Sequence, residues 1–296
     1  MNVDLWGRAK RRAAKARRAT QSMLETPWLA IRATHSDRPL VDHSNSIVVS
    51  LTSYGSRLAT VHLTIESIGR GHARPQRIIL WTDPGISLDS LPLTLQRLRG
   101  RGLEIQESPA RLGPHTKYYP YVASVANHEV PLVTADDDSI YPRGWLSRLQ
   151  SVSAEHPTDI ICYRAHRVSF GPDGAFAPYN AWGQTRDAQS SPLNFATGVS
   201  GVHYPAVFLN QLRDAGLGFL SCCPNADDIW LHFQAVDGGY AIRQVGDLPR
   251  KYPELASTQQ QALHRTNTGA SANDSQIVAT YSATCIAALQ REAASE

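Results

Sequence analysis

Four short apolar runs constrain this chain more than any other feature, because each closes on polar or charged residues. They are "SIVVSLTSYG" from Ser46, "QRIILWTDPG" from Gln76, "LEIQES" from Leu103 and "VPLVTADDD" from Val130. Each is short, β-branched or aliphatic, and bounded by turn residues, the pattern of a buried strand. Between them lie segments of helical period. "RLATVHLTIESIGRG" carries Leu58, Val61, His62, Ile65 and Ile68 on one face and ends in glycine, "SLPLTLQRLRGRG" is a shorter helix, and "TKYYPYVASVANH" is a third. Strands alternating with helices predict right-handed βαβ units and an α/β fold with a mostly parallel, Rossmann-like central sheet. In such sheets ligands gather at the carboxyl ends of the strands. Those ends carry Thr52 and Ser53, then Thr82 and Asp83, then Asp136, Asp137 and Asp138. The coincidence predicts one site built from several loops.

The second half is less regular. "TDIICYRAHRV" reads as one strand, and "FATGVSGVHYP" as a strand or hairpin broken by Gly198 and Gly201. "CPNADDIWLHFQAVDGG" reads as an Asn or Asp cap followed by a helix with Ile229, Trp230, Phe233 and Val236 on its apolar face. "YAIRQVG" is a last strand, and "SQIVATYSATCIAALQREA" one amphipathic helix. The expected divisions are a basic arm and linker over 1–45, two halves of one domain over 46–142 and 143–246, and a tail with a helix over 247–296.

The net charge of +3 excludes a polycation, but the basic residues are unevenly placed. Arg8, Lys10, Arg11, Arg12, Lys15, Arg17 and Arg18 follow one another with no acid among them, and Met23, Leu24, Trp28, Leu29 and Ile31 come after. This is the composition of a helix lying on an anionic membrane surface, the alternatives being a nucleic-acid contact or a solvated arm. The membrane surface is the partner expected here, and nucleic acid is not. No run reaches the roughly 18–20 apolar residues of a membrane span, and no apolar segment suited to a signal peptide follows the basic block. The four cysteines lack zinc-site spacing and read as free thiols. A cytoplasmic protein, peripheral at the inner face of the membrane, is expected.

Adjacent carboxylates repel one another unless a cation neutralises them. Oxygen-only ligands suit hard ions such as Mg²⁺ or Mn²⁺. If the fourth strand runs through the acids, Asp136 and Asp138 share one face and Asp137 takes the other. The bland alternative is a solvated acidic turn or a helix cap. The second acidic pair, Asp227 and Asp228, either caps its helix or turns one carboxylate into the pocket as a general base.

"VVSLTSYGSRLATVHLTIESI", "IILWTD", "KYYPYV", "PLVTADDDSIYPRGWL", "YRAHR", "TGVSGVHYP", "PNADDIWL" and "NDSQ" occur in that order. From about Ile47 to Gln276 this ordered set resembles bacterial glycosyltransferases of the GT-A fold, related to family 2 and associated with surface-polysaccharide synthesis. The resemblance implies an inverting, metal-dependent hexosyl- or pentosyltransferase. It would move a sugar from a nucleotide-diphosphate donor to a glycan or lipid-linked acceptor. By similarity Asp138 would be the direct metal ligand, Asp136 would meet the ribose or the metal, and Asp137 would stand behind them. Thr52, Ser53 and Tyr54 would line the base, Arg57 would reach a phosphate or stay in solvent, Asp83 would meet the base or ribose, and Lys117 the ribose or phosphate. Asp228 would be the catalytic base and Asp227 an acceptor ligand, or the reverse, and His264 would complete the metal site. The competing readings are a metal-dependent phosphoryl or nucleotidyl transferase and a non-catalytic, membrane-associated scaffold.

Overall fold

The computed structural model describes residues 2–255 and 272–295. Its centre is a seven-stranded sheet of β1 (Val48–Thr52), β2 (Arg77–Thr82), β3 (Leu103–Glu107), β4 (Leu132–Thr134), β5 (Ile160–Cys162), β9 (Val202–Tyr204) and β10 (Ile242–Gln244). The spatial order is β10-β5-β9-β4-β1-β2-β3. All neighbours pair parallel except β9, which runs antiparallel between β4 and β5. The expected mostly parallel α/β sheet is therefore present. Because β9 is inserted beside β4, the stretches 46–142 and 143–246 share one sheet.

Side-chain alternation along the strands builds a core on each face. Val49, Leu51, Ile78, Leu80, Val133 and Ile161 pack on one side beneath α2 (Val61–Gly69), α3 (Leu93–Arg99) and α5 (Trp145–Glu155). Val48, Ile79, Trp81, Leu132, Ile160 and Val202 pack on the other, beneath α4 (Tyr119–Ser124), α6 (Ala206–Ala215) and α8 (Asp227–Asp237). A short α7 (Phe219–Cys222) precedes α8. Chain order reverses across β1: the chain leaves β1 toward β2 and β3, then crosses back to β4 on the other side. The carboxyl ends of β1 and β4 thus frame the crevice at which such sheets bind ligands.

Three stretches of the sequence are each divided between two elements, the second of them at the glycines where a break was expected. "TDIICYRAHRV" is two strands, because the chain turns at Tyr163 and Arg164: β5 stays in the large sheet and β6 (Ala165–Arg167) joins a small sheet with β7 (Gly183–Gln184) and β8 (Asn194–Ala196). "FATGVSGVHYP" is divided likewise between β8 and β9. Gly201 makes that division possible, with φ of 100° and a position where a Cβ would lie 2.8 Å from the Trp145 ring. The C-terminal segment is two helices rather than one, Ala272–Thr280 and Ala283–Ser295, broken at Tyr281 and Ser282 and packed on α8 through Ile277, Tyr281 and Leu289.

The arm and linker expected over 1–45 are largely docked. Helix α1 (Asn2–His35) lies against α2 and α3, with Ser22, Leu29 and Ala33 buried. Glu66, fully buried on α2, receives hydrogen bonds from Arg32 Nε (2.9 Å) and Arg101 Nη1 (2.7 Å), which ties α1 and the turn between α3 and β3 to α2. Leu40 and Val41, within the expected linker, are buried as well.

Candidate active site

A cleft of about 970 Å³ opens at the carboxyl ends of β1, β2 and β4. That volume suits a ligand with many heavy atoms. Thr52, Tyr54, Arg57, Asp83, Lys117, Asp136, Asp137, Asp138, Asp227 and Asp228 all line it, while Ser53 is buried behind them. His264 lies outside the described residues.

β4 ends at Thr134, so the three acids sit in the turn beyond the strand, and strand alternation does not set their directions. Hydrogen bonds do. Asp137 turns inward, where its carboxylate accepts from Ser53 Oγ (2.7 Å) and from Arg57 Nε (2.8 Å) and Nη2. Its carbonyl accepts from Thr64 Oγ1 (3.0 Å). Arg57 is neither solvent-exposed nor free: it is buried, and its Nη2 also donates to Asp138 Oδ2 (2.9 Å). These carboxylates hold its pKa above the ordinary guanidinium value, although burial alone would lower it. Asp136 and Asp138 remain open to the cleft. The Asp136 N–H donates to the Tyr141 hydroxyl (2.8 Å), which orients that residue. Residues 253–255 pair beside the acids: Leu255 N–H donates to Asp138 O (2.7 Å) and Ile140 N–H to Pro253 O (2.8 Å). This brings Glu254 to the cleft.

Lys117 joins the two acidic motifs. It closes the 3₁₀ turn Gly113–Lys117, and its carbonyl accepts from Ser50 Oγ (2.7 Å) on β1, which fixes the turn to the sheet. Its ammonium lies 3.1 Å from Asp227 Oδ2 and 3.8 Å from Asp136 Oδ1. The Asp227 contact is an ion pair off the line of a hydrogen bond, since that oxygen is otherwise without a hydrogen-bond partner among the described residues. Gly198 permits this approach: a Cβ there would stand 3.0 Å from the Lys117 nitrogen and 3.2 Å from Asp228 Oδ1. Neither Asp227 nor Asp228 is the helix cap. The cap residue is Ala226, and both acids occupy the first turn of α8. Asp228 Oδ1 instead accepts the Gly198 N–H (2.8 Å).

The local electrostatics follow from the cluster of Asp136, Asp137, Asp138, Asp227 and Asp228, into which Arg57 and Lys117 reach, while Arg18, Arg111, Arg164, Arg250 and Lys251 line other parts of the cleft. Burial raises the Asp136 carboxyl to about 7, with Lys117 pulling it down and Asp138, Asp137 and Asp227 pushing it up. Burial raises Asp228 to about 7 as well, reinforced by Asp227 and opposed by Lys117 and the Gly198 N–H. Asp138 is raised by burial and by Asp137, against the pull of Arg57. A carboxylate poised near neutrality can exchange a proton at working pH. Within that cluster the carboxylates outnumber Arg57 and Lys117, which suits a hard divalent cation. Among the described residues no three His, Cys, Asp or Glu side chains form a ready cage. Mg²⁺-type ions do not need one, since they are bound by one or two carboxylates together with substrate phosphates and water. Asp136 and Asp138 fit that role.

Several cleft residues were not singled out from the sequence: Arg164, His166, Tyr179, Arg250 and Glu254. The signal available for Arg164 and His166 was a polar pair two residues apart, "RAH", directly after the apolar "IICY". Nothing local marked Tyr179 or Glu254.

No protein-family profile and no curated protein matches the chain. Solved structures do. The mannosyltransferase PcManGT from Pyrobaculum calidifontis, in complex with GDP-Man and Mn²⁺, is 16% identical; the match covers 96% of this chain and 86% of that one, with a TM-score of 0.44. S. aureus TarS 1–349 in complex with UDP is 13% identical over 70% of this chain, with a TM-score of 0.46, and its complex with UDP-GlcNAc is 14% identical with a TM-score of 0.44. The chain spans 59% and 57% of the length of those two TarS chains. At these identities the chemistry of the cleft rests on its own residues.

Proposed function

We propose that the protein is a metal-dependent, inverting GT-A glycosyltransferase that moves a sugar from a nucleotide-diphosphate donor to a hydroxyl of a glycan or lipid-linked acceptor in surface-polysaccharide synthesis. The observation that carries this reading is the placement of Lys117 between Asp136 and Asp227. It sets an open carboxylate pair on one side of a single cleft and a poised carboxylate on the other. Asp138, with Asp136, would hold Mn²⁺ or Mg²⁺, which supplies charge stabilisation to the leaving diphosphate. Thr52, Tyr54 and Asp83 line the floor where base and ribose would lie. Asp228 takes the acceptor proton. The freed oxygen bonds to the anomeric carbon from the face opposite the leaving group, and the bond to the diphosphate breaks with its electron pair. Asp228 suits this role better than Asp227, because its carboxylate is held by a backbone N–H while Asp227 is committed to Lys117. Arg57 is committed to Asp137 and Asp138 and acts by fixing the acidic turn.

The acceptor side fits a membrane-bound substrate. Opposite its docked face, α1 exposes Met23 (74%), Leu24 (74%), Ile31 (59%) and Trp28 (39%), and Lys10, Arg12, Lys15 and Arg17 are exposed before them. Arg18 of the same helix lines the cleft. An apolar stripe flanked by cations suits the interface of an anionic lipid bilayer. No helix of the described residues is long and apolar enough to cross a membrane.

The experiment is nucleotide release from a panel of UDP-, GDP- and dTDP-sugars, with and without Mn²⁺, for wild type, Asp138→Asn and Asp228→Asn. Metal-dependent release of nucleoside diphosphate, lost in Asp138→Asn, is expected. Release of nucleoside monophosphate would instead indicate phosphoryl or nucleotidyl transfer. No release from any donor, with full nucleotide binding, would indicate a scaffold.

A further inference from the structure

Arg164 stands where the chain passes from β5 to β6, and its side chain lines the cleft. Its Nη1 donates to Thr197 Oγ1 (3.2 Å) and its Nη2 to His166 Nε2 (3.0 Å). For Nε2 to accept, the His166 proton must sit on Nδ1, which faces Trp182 O at 3.3 Å. Burial and the adjacent guanidinium both lower the His166 pKa, in keeping with a neutral ring. Arg164 is therefore braced by two neutral groups. Among the described residues no carboxylate pairs with it, whereas Arg57 and Lys117 are each held by two. A half-buried cation without a counter-charge is costly unless a ligand supplies one.

Its position names that ligand. Thr197, which takes the Nη1 hydrogen, immediately precedes Gly198, whose N–H holds Asp228. The Tyr179 hydroxyl lies within range of both charges: after burial, Asp228 raises its pKa and Arg164 lowers it. The cation acting on Asp228 itself is Lys117. Arg164 thus neither neutralises the poised carboxylate nor belongs to the acidic turn that would face a donor diphosphate.

We propose that Arg164, positioned by His166, binds an anionic group of the acceptor, a carboxylate or a phosphate, beside the hydroxyl that Asp228 deprotonates. This rests on the glycosyl-transfer reading above. A guanidinium fork matches either group in a bidentate fashion, and a site built to pair a charge rejects the neutral analogue.

The test uses the full chain with Mn²⁺ and UDP or GDP, and measures by titration the binding of methyl β-D-glucuronide, glucose 6-phosphate, methyl β-D-glucoside and inorganic phosphate. At least one charged sugar should bind about tenfold or more tightly than the neutral glucoside, and which one decides between carboxylate and phosphate. Arg164→Gln should abolish that preference, and Arg164→Lys should restore part of it. His166→Ala, which removes the brace and keeps the charge, should weaken the charged sugar more than the neutral one. Equal binding of charged and neutral sugars would overturn the proposal. So would inorganic phosphate binding as tightly as the sugar phosphate, or a loss of nucleotide affinity in Arg164→Gln as large as the loss of sugar affinity. Metal-dependent nucleotide release is scored separately: its absence sinks the transferase reading, while a missing charge preference sinks only this one.

Discussion

Lys117 joins the two acidic motifs, because one half-buried ammonium serves carboxylates from two distant parts of the chain. Those carboxylates hold its pKa well above the usual lysine value despite burial. Replacing it with methionine leaves Asp136, Asp227 and Asp228 uncompensated, a loss of about 3–5 kcal/mol for a broken buried pair. The deficit should be larger at pH 8 than at pH 5, because the stranded carboxyls can take up protons in the folded state at the lower pH. Thermal unfolding at the two pH values checks this, and an equal deficit at both would refute it. Asp228 behaves in the opposite sense. Its folded pKa, about 7, lies above that of an unfolded aspartate, so its ionisation opposes folding. Stability contributed by the protonated form is present in full below the unfolded pKa and is lost as pH rises through about 7. Asp228→Asn should therefore raise Tm more at pH 8 than at pH 5, while lowering kcat by roughly 10²–10⁴ if Asp228 is the base. A Tm gain without loss of turnover would move the base to Asp227. The wild-type rate should rise toward a plateau as pH passes upward through the Asp228 pKa.

At the scale of elements, α1 carries two faces with different duties. Leu29 and Ala33 are fully buried against the domain, whereas Leu24, Trp28 and Ile31 face outward. Leu29→Ala should destabilise the fold by about 2–5 kcal/mol, as a large-to-small change in a core does. Met23, Leu24 and Ile31 replaced together by serine should leave denaturant stability within about 0.5 kcal/mol, as surface changes do, and should release the protein from anionic vesicles in a flotation assay. Retention on vesicles would place the membrane contact elsewhere. The basic block and the apolar residues of this helix were legible in the sequence. The docking was not, because it rests on Glu66 meeting Arg32 and Arg101, residues 34 and 35 positions away in the chain. For the same reason the linker drawn through Leu40 and Val41 is packed: composition reports polarity, not whether a partner surface awaits.

For the whole molecule, the two cores share one sheet, and the site draws on residues from Arg18 to Asn273. Ligand that binds the folded form alone should stabilise the entire chain, by about 2.7 kcal/mol at one hundred times its Kd. Addition of Mn²⁺ with the matching nucleoside diphosphate should thus raise Tm beyond the sum of either alone, and Asp138→Asn should remove the excess. Additive shifts would separate the metal from the nucleotide.

The periodicities by themselves determined the strand–helix alternation, the parallel pairing of β1 to β4 and the collection of polar residues at one end of the sheet. These are local properties, set by which face of each element is apolar. The acids at 136–138 and 227–228 were equally visible as charges. Tertiary structure alone decided what each does. Asp137 is turned inward by Arg57 and Ser53, Asp227 is drawn to Lys117, and Asp228 is held by the Gly198 N–H. Each of those partners is at least 30 positions away in sequence, a separation over which no local pattern carries information, and burial, which sets the proton affinities, exists only once the chain has folded.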